Sequence, residues 1–505
     1  MKNVRASKRP WGLADWFGVA ALILLVVCSL ILYVRLRATD MVIESLMNAL
    51  LYGLIGVNVV MLPFLLIRWR HAAVKIVAGV LALILSGGML YAISAADSVQ
   101  KALQNISGQQ VEEEITYIYV DKDNKDDIGD AVDYHFGALA AADVENTTAL
   151  LAKLTEGLGA EVTHASYDGV PELVQALYDG EVDGIILNQG YIALLEEMEE
   201  YADFSERTRV FYEFTTKREV EPIKPNPAIT REPFVVYCSG IDSRRTNINI
   251  KSLSDVNIMA IVNPETRQVL LLNTPRDYYL PLVSAPYTGK LDKLTHAGAI
   301  SIEESMKVLS QLYGVEGDYY IRVNFAGLVQ IVDALDGIEV VSETSFTTVP
   351  LSVNDKNEKP YTFKEGVNQL DGNSALAFCR ERKHLKDGDN QRGRNQMAVI
   401  KGIVDKAVSP QILSSYDELL KAVEGCFITN MPYEDMSGLV KMQLKDMRGW
   451  NITTYAVSGS GDMEPCATMP GMNLWVMRPN EEMVNIAKGL VQQVINGEVP
   501  TLPEK

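Results

Sequence analysis

Three long apolar stretches in the first hundred residues constrain this chain more than any other feature. Residues 16–34 carry no charge and one clearly polar side chain, Ser29. Residues 46–67 contain Asn48 and Asn58, and residues 72–96 are interrupted by Lys75 near their start. About 20 apolar residues at 1.5 Å rise cross a hydrocarbon layer of about 30 Å, so each stretch is long enough to span. Three buried core helices or a cleaved signal segment are the alternatives, and a signal has a single, shorter apolar core. Lys2, Arg5, Lys8 and Arg9 precede the first stretch, and Arg68 and Arg70 lie between the second and third, with Lys75 at the start of the third. The positive-inside tendency makes both basic segments cytoplasmic. Arg35 and Arg37 oppose that reading but share their short loop with Asp40 and Glu44. A multi-pass protein with a cytoplasmic N-terminus is expected, with everything after about Ala96 outside the cell.

The rest of the 505 residues is rich enough to fold. Apolar residues make up 48% and charged residues 22%, which excludes a disordered or fibrous chain. A net charge of −19 argues against nucleic acid as a partner, so any anion site must be a local basic cluster in an acidic field. Five cysteines lack zinc-site spacing. Cys426 and Cys466, lying outside the membrane, could pair.

Composition and periodicity divide the chain into an anchor (1–98), an accessory α/β domain with linker (99–230), a second α/β domain (231–410) and a C-terminal extension packed on it (411–505). Within 115–217, strand-like segments (115–120, 161–167, 183–188) alternate with helical ones (146–160, 171–180), the pattern of an α/β layer. The run 161–188 resembles one lobe of extracytoplasmic solute-binding proteins. It holds no nucleophile–base pair, so a spacer or partner-docking module is expected, with a small-ligand sensor as the alternative. Four prolines in 219–233 mark a semi-rigid boundary.

The chemistry concentrates after that boundary. A strand runs into Gly240-Ile241-Asp242, a second (256–263) starts after Asp255, and a third ends in Pro275-Arg276-Asp277. Carboxylates and cations at strand ends sit where α/β sheets bind ligands. Residues 290–300 add Lys290, Lys293, Thr295 and His296. The segment 380–396 then holds six cationic side chains against three acidic ones. In a strand, Arg380 and Arg382 would point to one face, and two guanidinium forks suit a phosphate or pyrophosphate. Arg392 and Gln396, four apart, would share a helix face. A charge run is ordinarily a solvated loop, but several such groups at separate sheet edges imply a charged ligand or metal.

In order and spacing, Gly240-Ile241-Asp242-Ser243-Arg244, Ser254-Asp255, Thr274-Pro275-Arg276-Asp277, Asp292-Lys293-Leu294-Thr295-His296-Ala297, Arg380-Glu381-Arg382 and Gly388-Asp389-Asn390-Gln391-Arg392 through Gln396 closely match a known pattern. Over about residues 235–410 the chain resembles the LytR–CpsA–Psr (LCP) family of cell-wall phosphotransferases. The spans and accessory domain resemble its capsule-associated members. The resemblance implies an α/β/α catalytic domain and an enzyme of Gram-positive envelopes. Such an enzyme moves a glycan-phosphate, teichoic acid or capsular polysaccharide, from a polyprenyl-pyrophosphate carrier to peptidoglycan. It implies metal ligation by Asp242 and Asp255, with Mg²⁺ (or Mn²⁺) suited to oxygen ligands. Arg276, Arg380 and Arg382 are expected to be catalytic, with Asp277 or Asp389 as base, and Lys293, Arg244, Arg392, Arg394 and Gln396 to grip substrate. Leu253 departs from the family's usual Arg before Ser-Asp; either Arg394 or Lys251 compensates, or that contact is dispensable. Asn395 likewise replaces a frequent Arg. A polyprenyl-pyrophosphate hydrolase and a non-catalytic envelope sensor are the rival readings. Other envelope-assembly proteins are possible partners through the accessory domain.

Overall fold

The computed structural model describes residues 11–67, 72–107, 111–196, 198–219, 223–241, 248, 251–350, 359–409, 419 and 422–503. Asp242 and Arg244 lie outside the described residues, as do the basic side chains before position 11 and Arg68 and Arg70. The chain forms two compact units.

The first unit contains three long apolar helices, Leu13–Ala38, Glu44–Leu66 and Ala72–Ile106, each long and apolar enough to cross a membrane. Small residues set their packing, as is usual where lipid removes the hydrophobic drive. A Cβ at Gly18 would overlap the Leu65 carbonyl, and Ala21, Leu25, Met61, Leu65, Ala78 and Ala82 form the shared core. Asn58 Nδ2 donates to Ser29 Oγ at 2.9 Å, which links the polar residues of two helices. Lys75, 4% exposed, meets Asp15 at 2.5 Å. At the opposite end of the bundle lies the helix Tyr433–Asp446. Its Tyr433 hydroxyl donates to the Thr39 carbonyl at 2.7 Å, Lys441 pairs with Asp40 at 2.7 Å, and Tyr433 and Met436 pack on Met41, Ala102 and Leu103. The loop after the first helix therefore lies at the same end as the exit of the third.

Among the described residues, the second unit contains two large sheets, of five and six strands, and four two-stranded ones. The five-stranded one has the spatial order His164–Tyr167, Phe136–Leu139, Gly184–Asn188, Val111–Asp121, Thr208–Glu219. Its short central strands, FGAL and GIILN, are buried along their whole length and pair in parallel, as strands covered on both faces do. Helix Val144–Leu158 covers one face through Leu150 and Leu154. Helix Val170–Tyr178 covers the other through Leu173, Val174 and Leu177. That second core continues into Leu253, Tyr279, Ala299, Cys466, Met469 and Val476 of the following domain. Lys251 pairs with Glu114 at 3.0 Å across the same boundary. Burial pushes the Glu114 carboxyl up, but Lys251 and Asn146 hold it below its ordinary value overall.

The six-stranded sheet has the order Phe427–Thr429, Tyr319–Asn324, Phe234–Ile241, Val256–Asn263, Gln268–Asn273, Asn451–Ala456. Both edge strands come from the C-terminal segment, which completes the sheet as well as packing on it. Helices Ile302–Tyr313 and Glu481–Ile495 cover one face through Leu309, Tyr313, Leu490, Val491 and Val494. Helix Gly388–Ala407 packs on the other. Strands Tyr319–Asn324 and Phe234–Ile241 are parallel, as are Gln268–Asn273 and Asn451–Ala456, while Val256–Asn263 runs antiparallel between the two pairs. Four strands therefore end at one sheet edge, and that is the edge where Asp255 begins the fifth.

Candidate functional site

That edge explains why charges scattered between Asp255 and Arg392 meet. Asp255 N donates to the Gly240 carbonyl at 2.8 Å, which fixes it beside the end of Phe234–Ile241. Behind it, Tyr237 donates to Asn257 Oδ1 at 2.6 Å, and the Ser254 hydroxyl lies 2.9 Å from both Tyr237 Oη and Ser239 Oγ. From the end of Gln268–Asn273, Arg276 reaches across to Asp255 at 2.6 Å. Asp277 stands 3.7 Å from Arg276 Nε and 3.4 Å from Lys293 Nζ. Arg276, Asp277, Lys293, Arg382, Asp389 and Trp475 line one cavity of about 400 Å³.

Arg392 sits beside this group, 2.6 Å from Asp389. Burial, together with the nearby Arg276 and Arg382, holds its guanidinium below its ordinary value against the opposing pull of Asp389 and Asp255. Cations crowded closely enough to oppose one another's charge form a cradle for an anion.

Arg380 and Arg382 do not lie in a strand. Arg380 ends the helix Gly372–Arg380 and Glu381 is its extended cap. Leu376 and Phe378 supply the helical burial that the apolar run concealed. The Arg380 guanidinium lies 4.2 Å over the Phe325 ring, while Arg382, in the turn beyond, faces the cavity. Asn395 and Gln396 donate to the carbonyls of Phe378 and Cys379 at 3.3 and 3.4 Å. Gln396 thus braces the helix end that presents the two arginines. Arg394 pairs with Glu343 at 2.8 Å and Asp387 at 2.6 Å, and Lys251 pairs with Glu114. Leu253 is buried in the core shared with the accessory domain.

Helix Gly388–Ala407 comes close to the sheet because Gly393 has no side chain: a Cβ there would overlap the Asn273 amide. Gly393→Ala is therefore expected to cost about 1–3 kcal/mol of overpacking. It should also lower activity by moving Arg392 and Asp389. Chemical denaturation and a turnover assay check both, and unchanged values would mean the helix has slack.

Asp292 is fully buried and accepts from Lys293 N at 2.7 Å, from Thr468 N and Oγ1 at 2.7 Å each, and contacts His296 Nδ1 at 2.6 Å. Cys466 adjoins this pair, close enough for the three groups to be weighed as metal ligands. Both Asp292 oxygens are already in hydrogen bonds, and burial beside Asp292 pushes the Cys466 thiol up to about 12, so the contacts that the cluster makes are those of a buried hydrogen-bonded knot within the chain. The cysteines are all free, and Cys426 donates to Gln330 Oε1 at 2.9 Å, so the Cys426–Cys466 disulfide is not formed. Burial likewise pushes Cys379 up to about 12, consistent with packing.

Among the described residues, Asp255, Asp277 and Asp389 bring carboxylate oxygens to this sheet edge, and Asp255 Oδ1 accepts from Arg276. A carboxylate with further lone pairs fits a hard cation such as Mg²⁺. Sequence reading missed Trp475 and Thr468. Both lie on a hairpin, Gly459–Cys466 with Met469–Pro479, that interrupted alternation concealed.

An α/β/α domain whose sheet edge gathers a polycationic cradle defines an anion-handling protein, and its relatives show which kind. The LytR_cpsA_psr family model matches residues 201–484. The chain is 33% identical over 237 residues to "Polyisoprenyl-teichoic acid--peptidoglycan teichoic acid transferase TagU" of Enterococcus faecalis, covering 47% of this chain and 73% of that one. It is 28% identical over 236 residues to the corresponding TagT of Bacillus subtilis, covering 46% and 71%. The crystal structure of B. subtilis TagV aligns over 53% of this chain and 98% of its own, at 21% identity and a TM-score of 0.43. This chain belongs to the LytR–CpsA–Psr family.

Proposed function

We propose that the protein transfers a glycan-phosphate, teichoic acid or capsular polysaccharide, from a polyprenyl-pyrophosphate carrier to a peptidoglycan hydroxyl at the outer face of the membrane. The observation that carries the reading is Arg276, Lys293 and Arg382 lining one cavity with Arg392 beside them. The activity printed for the TagU and TagT relatives supports it.

Phosphoryl transfer asks a protein for in-line positioning and charge neutralisation more than for covalent participation. The acceptor oxygen forms a bond to the sugar-bearing phosphorus as the bridging P–O bond breaks, releasing polyprenyl phosphate. Arg276, Arg382 and Lys293 stabilise the charge that develops on the leaving oxygens. Asp277 or Asp389, both lining the cavity, takes the hydroxyl proton; Asp277 also holds Arg276 and Lys293 in place. A magnesium ion, when bound by Asp255 with Asp242, would supply further neutralisation of the diphosphate. The Tyr433–Asp446 helix, contributed from beyond the third span, caps the bundle end opposite Asp15 and Lys75, in keeping with a cytoplasmic N-terminus. The accessory domain, sharing a core with the catalytic one, suits a rigid spacer or a docking module for other envelope-assembly proteins.

The test is to incubate the detergent-solubilised full chain with a polyprenyl-pyrophosphate glycan, Mg²⁺ and a peptidoglycan oligosaccharide, and to analyse products by mass spectrometry. A phosphodiester-linked glycan on the oligosaccharide with release of polyprenyl monophosphate is expected. Release with water as sole acceptor would identify a hydrolase, and no turnover would sink the reading in favour of a sensor.

A further inference from the structure

The hairpin Gly459–Cys466/Met469–Pro479 carries the one aromatic ring among the described residues of the cavity lining, and nothing in the phosphate chemistry uses it. Trp475 is 47% exposed and stands opposite Met463, itself 56% exposed. The indole rests on Gly461, where a Cβ would come within 2.9 Å of Nε1, so a glycine is what allows the ring to lie against its own hairpin. Both ends of the hairpin are fixed. At the turn, Thr468 donates twice to Asp292 and Ala467 N donates to the Leu291 carbonyl at 3.1 Å. Two residues beyond Trp475, Met477 N donates to the Asp277 carbonyl at 2.7 Å, and Tyr279 Oη donates to the Pro465 carbonyl at 2.6 Å. On its far side, Pro470 fills the space above Gly169 of the accessory domain. A large exposed side chain is thus held rigidly beside Lys293, Asp277 and Arg382.

We infer that Trp475 is a stacking platform for a pyranose ring adjacent to the reacting phosphate, a saccharide subsite built from the hairpin. This rests on the phosphotransferase reading above. The chemistry selects the occupant. The negative face of an indole does not attract a phosphate, and the cavity's three cations repel a cationic ligand. A single half-exposed ring among charged side chains offers no path for a polyprenyl tail. A sugar ring is neutral, presents an apolar C–H face to the indole, and directs its hydroxyls to the polar rim. In the reaction such a ring occurs twice, as the carrier-linked sugar and as the acceptor. The platform also gives the accessory domain a role in the chemistry, because the core it shares with Met469 and Val476 holds the hairpin in place.

Calorimetric titration of the full chain with farnesyl diphosphate, and with the same diphosphate bearing N-acetylglucosamine, separates the sugar from the phosphate. The KM for a peptidoglycan tetrasaccharide tests the acceptor. Trp475→Ala is expected to leave farnesyl diphosphate binding within about twofold while weakening one sugar readout about tenfold, roughly 1.4 kcal/mol. A loss confined to the glycosylated diphosphate assigns the ring to the donor, and a raised KM assigns it to the acceptor. Trp475→Phe should recover most of the loss, and Gly461→Ala, which displaces the indole, should reproduce it in part. Unchanged sugar readouts in the folded Trp475→Ala protein would overturn the platform, as would an equal loss in all three. If the unaltered protein fails to bind farnesyl diphosphate, the phosphotransferase reading falls and the platform with it.

Discussion

Arg382→Ala should reduce glycan transfer about 10²- to 10³-fold with little change in folding stability. Arg382 faces the cavity from the turn after a helix end, so truncating it removes no core packing. What is lost is a preorganised charge where the leaving phosphate becomes more negative, and donors of that kind are worth about 10²–10³ in turnover. Its charge is close enough to act on Arg392, so the effect should not be confined to one contact. Arg382→Lys should recover only part of the rate, because an ammonium cannot present two parallel donors to one phosphate. Arg394→Ala is the matched control. Arg394 is tied to Glu343 and Asp387 at the surface, and its loss should leave turnover within about twofold and cost at most about 1 kcal/mol. Turnover with saturating lipid substrate, read against urea denaturation, separates the cases. Equal activity of Arg382→Ala and the native protein would remove the cavity from the mechanism.

The contrast between Arg382 and Arg394 also shows what can be read from a sequence of this kind. The strand running into Ile241 and the strand 256–263 were legible, because burial patterns every second residue before folding brings anything together, whereas the third strand, read as far as Asp277, ends at Asn273. Asp255, Arg276 and Lys293 were legible as charges at strand ends. The side that each cation of 380–396 faces was not. Arg380 is two residues from Arg382, a spacing that puts both on one face of a strand, yet a helix ends between them and sends one onto Phe325. Nothing local distinguishes Arg394 from Arg392 either. One has Glu343 within reach and the other has Asp389, and Glu343 is contributed by a segment fifty positions away. Trp475 was hidden for a related reason. Its hairpin carries Gly461, Pro465, Pro470 and Gly471, residues that read as loop, and its strands are held by Asp292 and Asp277 rather than by alternating burial.

Asp292→Ala should be the most destabilising single change in the catalytic domain, by about 3–5 kcal/mol at neutral pH. The carboxylate is fully buried and contacts four partners. Truncation strands the Thr468 amide and hydroxyl, the Lys293 amide and the His296 ring in a space without solvent. Breaking a buried charged knot costs far more than forming it gains. Burial alone pushes the Asp292 carboxyl up, but the His296 ring and the two Thr468 hydrogen bonds outweigh it and hold the group below its ordinary value of 3.8. A depressed folded value means that the carboxylate's contribution is complete above pH 3.8 and disappears as pH falls through the lower folded value. Asp292→Asn, which keeps the shape, should therefore lose less than the alanine variant, and its deficit against the native protein should shrink below pH 3.8. Urea titrations of the three proteins between neutral pH and pH 3 measure this. A pH-independent deficit would mean that packing, not charge, holds the knot. Because Thr468 is the turn of the Trp475 hairpin and Lys293 lines the cavity, the same variants should lose transfer activity well before they unfold. Full turnover from a folded Asp292→Asn protein would show that the hairpin keeps its place without the knot.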